Sequence, residues 1–131
     1  MNSSHIPCRQ SFVLKQQDFD CFASLSGDRN PIHVDPGFAA STDFGQTVSH
    51  GMLLFSMVRG WLARTWNNPS LDHQKLIFPA PAYAGELLEL TIETLERDGN
   101  MLTLQTTITR PDGRNCLEGT CQISLSQEGA A

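Results

Sequence analysis

The residues best suited to chemistry lie close together in the first half of the chain. Asp28, Asn30 and His33 stand within SGDRNPIHVD, and His50-Gly51 directly precede an apolar run. A carboxylate and an imidazole that meet in a partly apolar pocket form a general acid/base pair. Asp28 and His33 are five residues apart across Pro31. On a helix they would take different faces, whereas a loop turned at Asn30-Pro31 lets them converge. The same residue types also build turns: Asp28 suits an Asx-turn, Asn30 is a turn former, and His33 serves as an ordinary satisfied histidine. Spacing alone leans to the turn reading. If the pair is chemical, the Asn30 amide orients one partner or a water.

His50-Gly51 is the second feature. The first N–H groups of a helix have no internal partner and carry partial positive charge. Glycine at that point lets a substrate oxygen approach the backbone closely. A thioester carbonyl that becomes enolate-like in the transition state is the charge such donors stabilise. Gly51 as a plain turn residue and His50 as a cap fit the same two letters, and spacing does not choose between the readings. Elsewhere the chemistry is sparse. His5, His33, His50 and His73 lack metal-ligand spacing, and there is no nucleophile elbow, phosphate loop or dinucleotide fingerprint. By type and spacing Met52, Met57 and Met101 are core filler, and Trp61 and Trp66 are packing residues.

The elements that must position these groups follow from periodicity. Residues 8–14 form a short strand. Residues 16–25 read as a helix with Phe19, Phe22 and Ala23 on one face, ended by Gly27. Within 26–51, Asp35-Pro36 opens a short second helix, and 42–47 is loop. Phe38, Ala39, Ala40, Phe44 and Val48 give this stretch apolar side chains to bury, which argues for order. Residues 51–66, GMLLFSMVRGWLARTW, form the strongest helix. It is apolar around most of its circumference, the mark of a buried helix, and Asn67-Asn68-Pro69 stops it. Strands follow. Residues 75–78 end in Pro79-Ala80-Pro81 and suit an edge. Residues 87–95 alternate, turn at Asp98-Gly99, alternate again over 101–109, and turn at 111–113. The last strand places Leu117, Gly119, Cys121, Ile123 and Leu125 on one face, with Cys116 opposite to Cys121. The tail from Ser126 reads as frayed. An α+β domain results: an antiparallel meander with one apolar face, wrapped around a central helix.

Bulk properties bound the function. One domain is expected from 131 residues, a length that supports a core without metal or disulfide staples. A net charge of −5 leaves no footprint for nucleic acid. Cys8, Cys21, Cys116 and Cys121 form no C-x-x-C pair and read as reduced thiols of a cytoplasmic protein. The first ten residues lack the pattern of a signal peptide, and no apolar run is long enough to span a bilayer.

LSGDRNPIHVDPGFAASTDFGQTVSHGMLL closely resembles the hydratase-2 motif of the MaoC-like (R)-specific enoyl-CoA hydratases, D-x-N-P-x-H-x-D followed by H-G-M before the central helix. The segment from Phe78 through Pro79, Gly85 and Glu86 is similar to the family's later F-x-x-P-V-x-x-G-D. The resemblance implies a single hot-dog domain over 1–131, with 26–50 as the overhang that carries the active site, acting as a homodimer. It implies reversible hydration of trans-2-enoyl thioesters of CoA or acyl carrier protein to (R)-3-hydroxyacyl thioesters, a hydro-lyase reaction of fatty acid metabolism. Asp28 and His33 fall on the family's catalytic pair, and Asn30, His50, Gly51 and Met52 on its substrate side. No metal or redox cofactor, nucleic acid or membrane partner is implied. A thioesterase or a non-catalytic acyl-binding subunit are the alternatives on the same fold. Two departures stand out. Glu86 replaces the usual Asp, a mild change in a turn. Arg59 occupies the central helix where short-chain hydratases carry a small residue near the acyl pocket. A buried unpaired Arg is costly, so either it faces the surface or a dimer partner, or it pairs with a polar acyl group or a carboxylate, which makes it a further substrate-binding candidate.

Overall fold

The computed structural model describes residues 8–126. His5 and the tail beyond Ser126 lie outside the described residues. Five strands form one antiparallel sheet: β1 (Cys8–Val13), β2 (Ser70–Ile77), β3 (Leu87–Asp98), β4 (Met101–Thr109) and β5 (Asn115–Ser124), in the spatial order β1-β3-β4-β5-β2. Four helices lie between β1 and β2: α1 (Gln16–Ser26), α2 (Pro31–Val34), α3 (Pro36–Ala40) and α4 (Gly51–Thr65). This is the expected α+β hot-dog architecture, a sheet curled around one central helix.

Strict alternation dictates the sheet's inner face. Leu88, Leu90 and Ile92 of β3, Leu102, Leu104 and Ile108 of β4, and Leu117, Cys121 and Ile123 of β5 are buried against Leu54, Val58 and Leu62 of α4. Gly99 and Asn100 close the β3–β4 hairpin, with Gly99 at positive φ as a two-residue turn requires. β2 begins at Ser70, earlier than the alternation suggests, because a register shift between Leu71 and His73 interrupts the pattern. It is an edge strand, as its prolines imply.

Helix α4 is more one-sided than its composition indicates. Ser56, Gly60 and Arg64 are exposed, and Met52 is 54% exposed, so Met52 is not core filler. Met101 is also exposed. Phe38 and Phe44, expected to anchor the polar stretch, are exposed too; Ala39 and Val48 are the residues it buries. Cys116 departs from simple alternation as well. It is buried beside Leu117, where the register with β4 shifts, and its thiol donates to the Ile108 carbonyl.

Candidate active site

The polar stretch is held by a series of short side-chain caps. Gly27 takes the left-handed conformation that ends α1, and its N–H donates to the Ala23 carbonyl. Asp28 Oδ1 then accepts from Asn30 N–H at 3.3 Å, and Asn30 Oδ1 accepts from Ile32 N–H at 3.1 Å. Asp35 Oδ1 accepts from Phe38 N–H at 3.1 Å. Each cap starts a tight turn or a helix whose first residue is proline, Pro31 or Pro36, where a missing N–H costs nothing. Four-residue α2 is the one element the pattern does not announce. The return of the stretch is pinned to the body: Val48 N–H donates to the Ile32 carbonyl, Ser49 N–H donates to the Ala82 carbonyl, and Val48 bridges Tyr83.

This path brings Asp28 and His33 together. His33 Nε2 lies 3.8 Å from Asp28 Oδ2. The turn role and the pairing coexist, because Asp28 uses one oxygen for the Asx-turn and presents the other to His33. The remaining His33 nitrogen, Nδ1, is 2.8 Å from the Val48 carbonyl. A carbonyl only accepts, so Nδ1 carries the hydrogen, and in the neutral ring Nε2 is a lone pair facing Asp28. Gln16, not singled out by any motif, donates from its Nε2 to the His33 carbonyl and accepts from the Thr47 hydroxyl. It ties α1 to both ends of the stretch.

His50 lies beneath the pair. Its ring stacks on His33 with centroids 3.9 Å apart, and Nε2 is 2.9 Å from the Asp28 carbonyl. That bond puts the hydrogen on Nε2 and leaves Nδ1 buried without a partner. Burial holds the imidazole below its ordinary value. The Asp28 carbonyl opposes this shift and neighbouring His33 adds to it. His50 is 2% exposed and makes no side-chain cap. Its ring packs between Phe22 and His33 and against the Asp28 backbone, with almost no exposed surface. Asn30 likewise spends its oxygen on capping α2.

Gly51 opens α4, and no acceptor within the described residues takes its N–H. A Cβ here would stand 2.8 Å from the tip of the Phe78 ring, a side chain that is itself 43% exposed. A cleft of about 360 Å³ adjoins this point, lined by Phe44, Gly51, Leu54, Phe78, Pro79 and Cys116 among others. It reaches Val48 and Gly51 but is not lined by Asp28 or His33. Phe78 is the residue that sequence reasoning passed over as a site element. The FPAP segment around it was its only signal. Glu86 sits in the expected turn, accepting from Tyr83 N–H and pairing with Arg110 at 3.4 Å.

Asp28, His33 and His50 are also the described side chains whose donor atoms cluster, within 4.8 Å, as a metal site would need. The fit is poor. One nitrogen of each ring already engages a carbonyl, and the rings are stacked at 25°, so their in-plane lone pairs do not converge on one tetrahedral centre. The arrangement suits proton transfer: two acceptors face each other across 3.8 Å, and His50, whose ring stacks on His33, immediately precedes the start of α4.

A family model described as MaoC like domain matches residues 4–110. An (R)-specific enoyl-CoA hydratase of Aeromonas caviae is 35% identical over 108 residues, covering 79% of this chain and 81% of that one. A 3-hydroxybutyryl-CoA dehydratase of Methylorubrum extorquens is 34% identical over 85 residues, 63% of this chain and 54% of that one. Among solved structures, the (R)-hydratase from A. caviae involved in PHA biosynthesis superposes with a TM-score of 0.84 at 32% identity, covering 92% of this chain and 94% of that one.

Proposed function

The chain belongs to the MaoC-like family, and from that premise we propose that it is a hydro-lyase that adds water reversibly to trans-2-enoyl thioesters, giving (R)-3-hydroxyacyl thioesters. The observation that carries the mechanism is the 3.8 Å gap between His33 Nε2 and Asp28 Oδ2. Both atoms are acceptors while His33 is neutral, so a water between them donates one hydrogen to each.

As the water oxygen attacks C3, His33 Nε2 takes its proton. The C2–C3 π electrons move to C2 and onto the thioester oxygen. The Gly51 N–H, at the positive end of α4, stabilises that enolate. Asp28 orients the water and balances the charge on the imidazolium. Nε2–H then returns the proton to C2 on the face the water entered, and the neutral ring is restored. The Val48 carbonyl holds Nδ1–H throughout, so Nε2 alone exchanges protons. No step calls for a metal or redox cofactor. CoA and acyl carrier protein are both thiols this chemistry accepts.

The working unit is a homodimer. Two features support this: β2 pairs with β5 alone and leaves its other edge open, and α4 exposes Met52, Ser56 and Gly60. No helix among the described residues is long and apolar enough to cross a membrane. The test is the loss of enoyl absorbance when the purified protein is added to crotonyl-CoA, with chiral analysis of the product. An (R)-3-hydroxyacyl product supports the reading. Release of free thiol instead would assign a thioesterase, and binding without turnover a non-catalytic subunit.

A further inference from the structure

Arg59 carries the charge least accounted for in this fold. Its Nη1 is buried and has no hydrogen-bond partner. The ion pairs among the described residues join His33 to Asp28, and Arg110 to Glu86 and Asp112; none includes Arg59. The contrast with Arg110 is direct. That guanidinium is met by two carboxylates and lies over the Tyr83 ring. The same chain leaves Arg59 without any.

Its surroundings say what is missing. The charge of Arg59 is felt at the Cys121 thiol on the buried face of β5. Cys121 is the register partner of Gln74, whose Oε1 is also buried and unpartnered. Gln74 is neutral, so this flank offers an acceptor but no counter-charge. A buried cation with an open donor is costly unless an anion completes it.

The location relates Arg59 to the carbonyl site. Met52, Phe55 and Arg59 follow one another at helical spacing along one stripe of α4. Met52 is exposed and Phe55 and Arg59 are half-buried. The stripe begins beside the Gly51 N–H, and Arg59 lies about two turns further on. Long side chains on a helix tend to lean back toward its N-terminus, a direction that shortens the distance from position 59 to Gly51. The cleft at Gly51 is lined by Leu54 of α4 rather than by this stripe, so an acyl chain held by its carbonyl at Gly51 reaches the guanidinium by leaving the cleft along Met52 and Phe55.

We infer that Arg59 is a specificity residue that binds a carboxylate at the far end of the acyl group, so that the substrates are enoyl thioesters of dicarboxylic acids. The inference rests on the hydratase reading and names the substrate class of that same site. A planar guanidinium meets a carboxylate through two parallel N–H···O bonds, which a hydroxyl or methyl terminus cannot reproduce.

The experiment compares crotonyl-CoA, 4-hydroxycrotonyl-CoA and glutaconyl-CoA, which differ only at the acyl terminus. For the wild-type protein kcat/KM on glutaconyl-CoA exceeds that on either other substrate by at least about tenfold. In Arg59→Met the ratio of glutaconyl to crotonyl kcat/KM falls by about a hundredfold, and Arg59→Lys restores part of it. Turnover of crotonyl-CoA with no carboxylate preference in the wild type overturns the inference and leaves the hydratase reading standing. So does an equal loss on all substrates in Arg59→Met, or dissociation of the dimer in that variant without a change in the ratio. The wild-type comparison decides the matter even if the variants fail to fold. Absence of turnover on all three substrates removes the hydratase reading and this inference with it.

Discussion

His33 Nε2 and Asp28 Oδ2 face each other across 3.8 Å with His33 Nδ1 fixed on the Val48 carbonyl. In the proposed mechanism each atom handles one hydrogen of the same water, so the two side chains act as a unit. Asp28→Asn keeps the Oδ1 acceptor of the turn, and His33→Gln keeps a polar side chain of similar reach. Each is expected to lower kcat on an enoyl thioester by about 10²–10⁴ with little change in Tm. The double variant should lose scarcely more than the worse single one, as coupled groups do. Steady-state kinetics with calorimetry on the three variants checks this; additive losses, or near-normal turnover in either single variant, would remove the pair from the mechanism.

His50 imposes a pH dependence on stability. Burial holds its folded-state pKa below the ordinary value of 6.5. As pH falls through about 6.5, the unfolded chain takes up a proton at this ring that the folded chain refuses, so stability is lost toward acid and levels off once the folded pKa is passed. His50→Gln retains an N–H donor for the Asp28 carbonyl and cannot titrate. Its Tm should fall less steeply than that of the wild type between about pH 7.5 and 5. Parallel curves for the two proteins would show that His50 does not contribute this slope.

The cysteines divide by environment. Cys116 and Cys121 are fully buried, and burial pushes the Cys116 thiol up to about 11 and raises Cys121 as well. The thiolate is the reactive form. Exposed Cys21 and half-buried Cys8 should react with a thiol reagent in the native protein at neutral pH, and Cys116 and Cys121 only on unfolding. Peptide mapping after a timed alkylation measures the order. Early labelling of Cys116 would place it in an open part of the cleft beside Gly51.

Much of the fold is legible in the residues because one physical signal dominates it. The alternation of Leu88, Leu90 and Ile92, and of Leu102, Leu104, Thr106 and Ile108, can be buried on one face only, and the central helix is the apolar element available to cover that face. The site is legible in composition but not in geometry. Asp28, Asn30 and Asp35 are turn formers in any context; only the folded chain shows that three successive caps aim Asp28 at His33. Phe38 and Phe44 mislead because hydrophobicity does not distinguish a core residue from one at a cleft or an open surface. Met52 misleads for the same reason. The ring of Phe78 over Gly51 has no local signature, since it joins a helix start to the end of an edge strand.

That contact supplies the sharpest structural test. A Cβ on Gly51 would lie 2.8–3.0 Å from three atoms of the Phe78 ring, so Gly51→Ala must move the ring or the first turn of α4. Overpacking a closed core costs about 1–3 kcal/mol; with the Phe78 ring 43% exposed, the cost is at the low end if the ring swings aside and at the high end if the turn moves. In the proposed mechanism this helix N–H stabilises the enolate, so where the turn rather than the ring gives way kcat should fall by up to about 10²–10³, as on loss of one such donor. Phe78→Leu removes the obstructing ring edge. In the double variant Gly51→Ala/Phe78→Leu the turn can return to its place, so kcat and Tm should both recover relative to Gly51→Ala alone. If Gly51→Ala is instead fully stable and active, the N–H at the start of α4 is not a site whose position the chemistry depends on. If Tm recovers in the double variant while kcat does not, the Phe78 ring itself contributes to the carbonyl site beyond its packing.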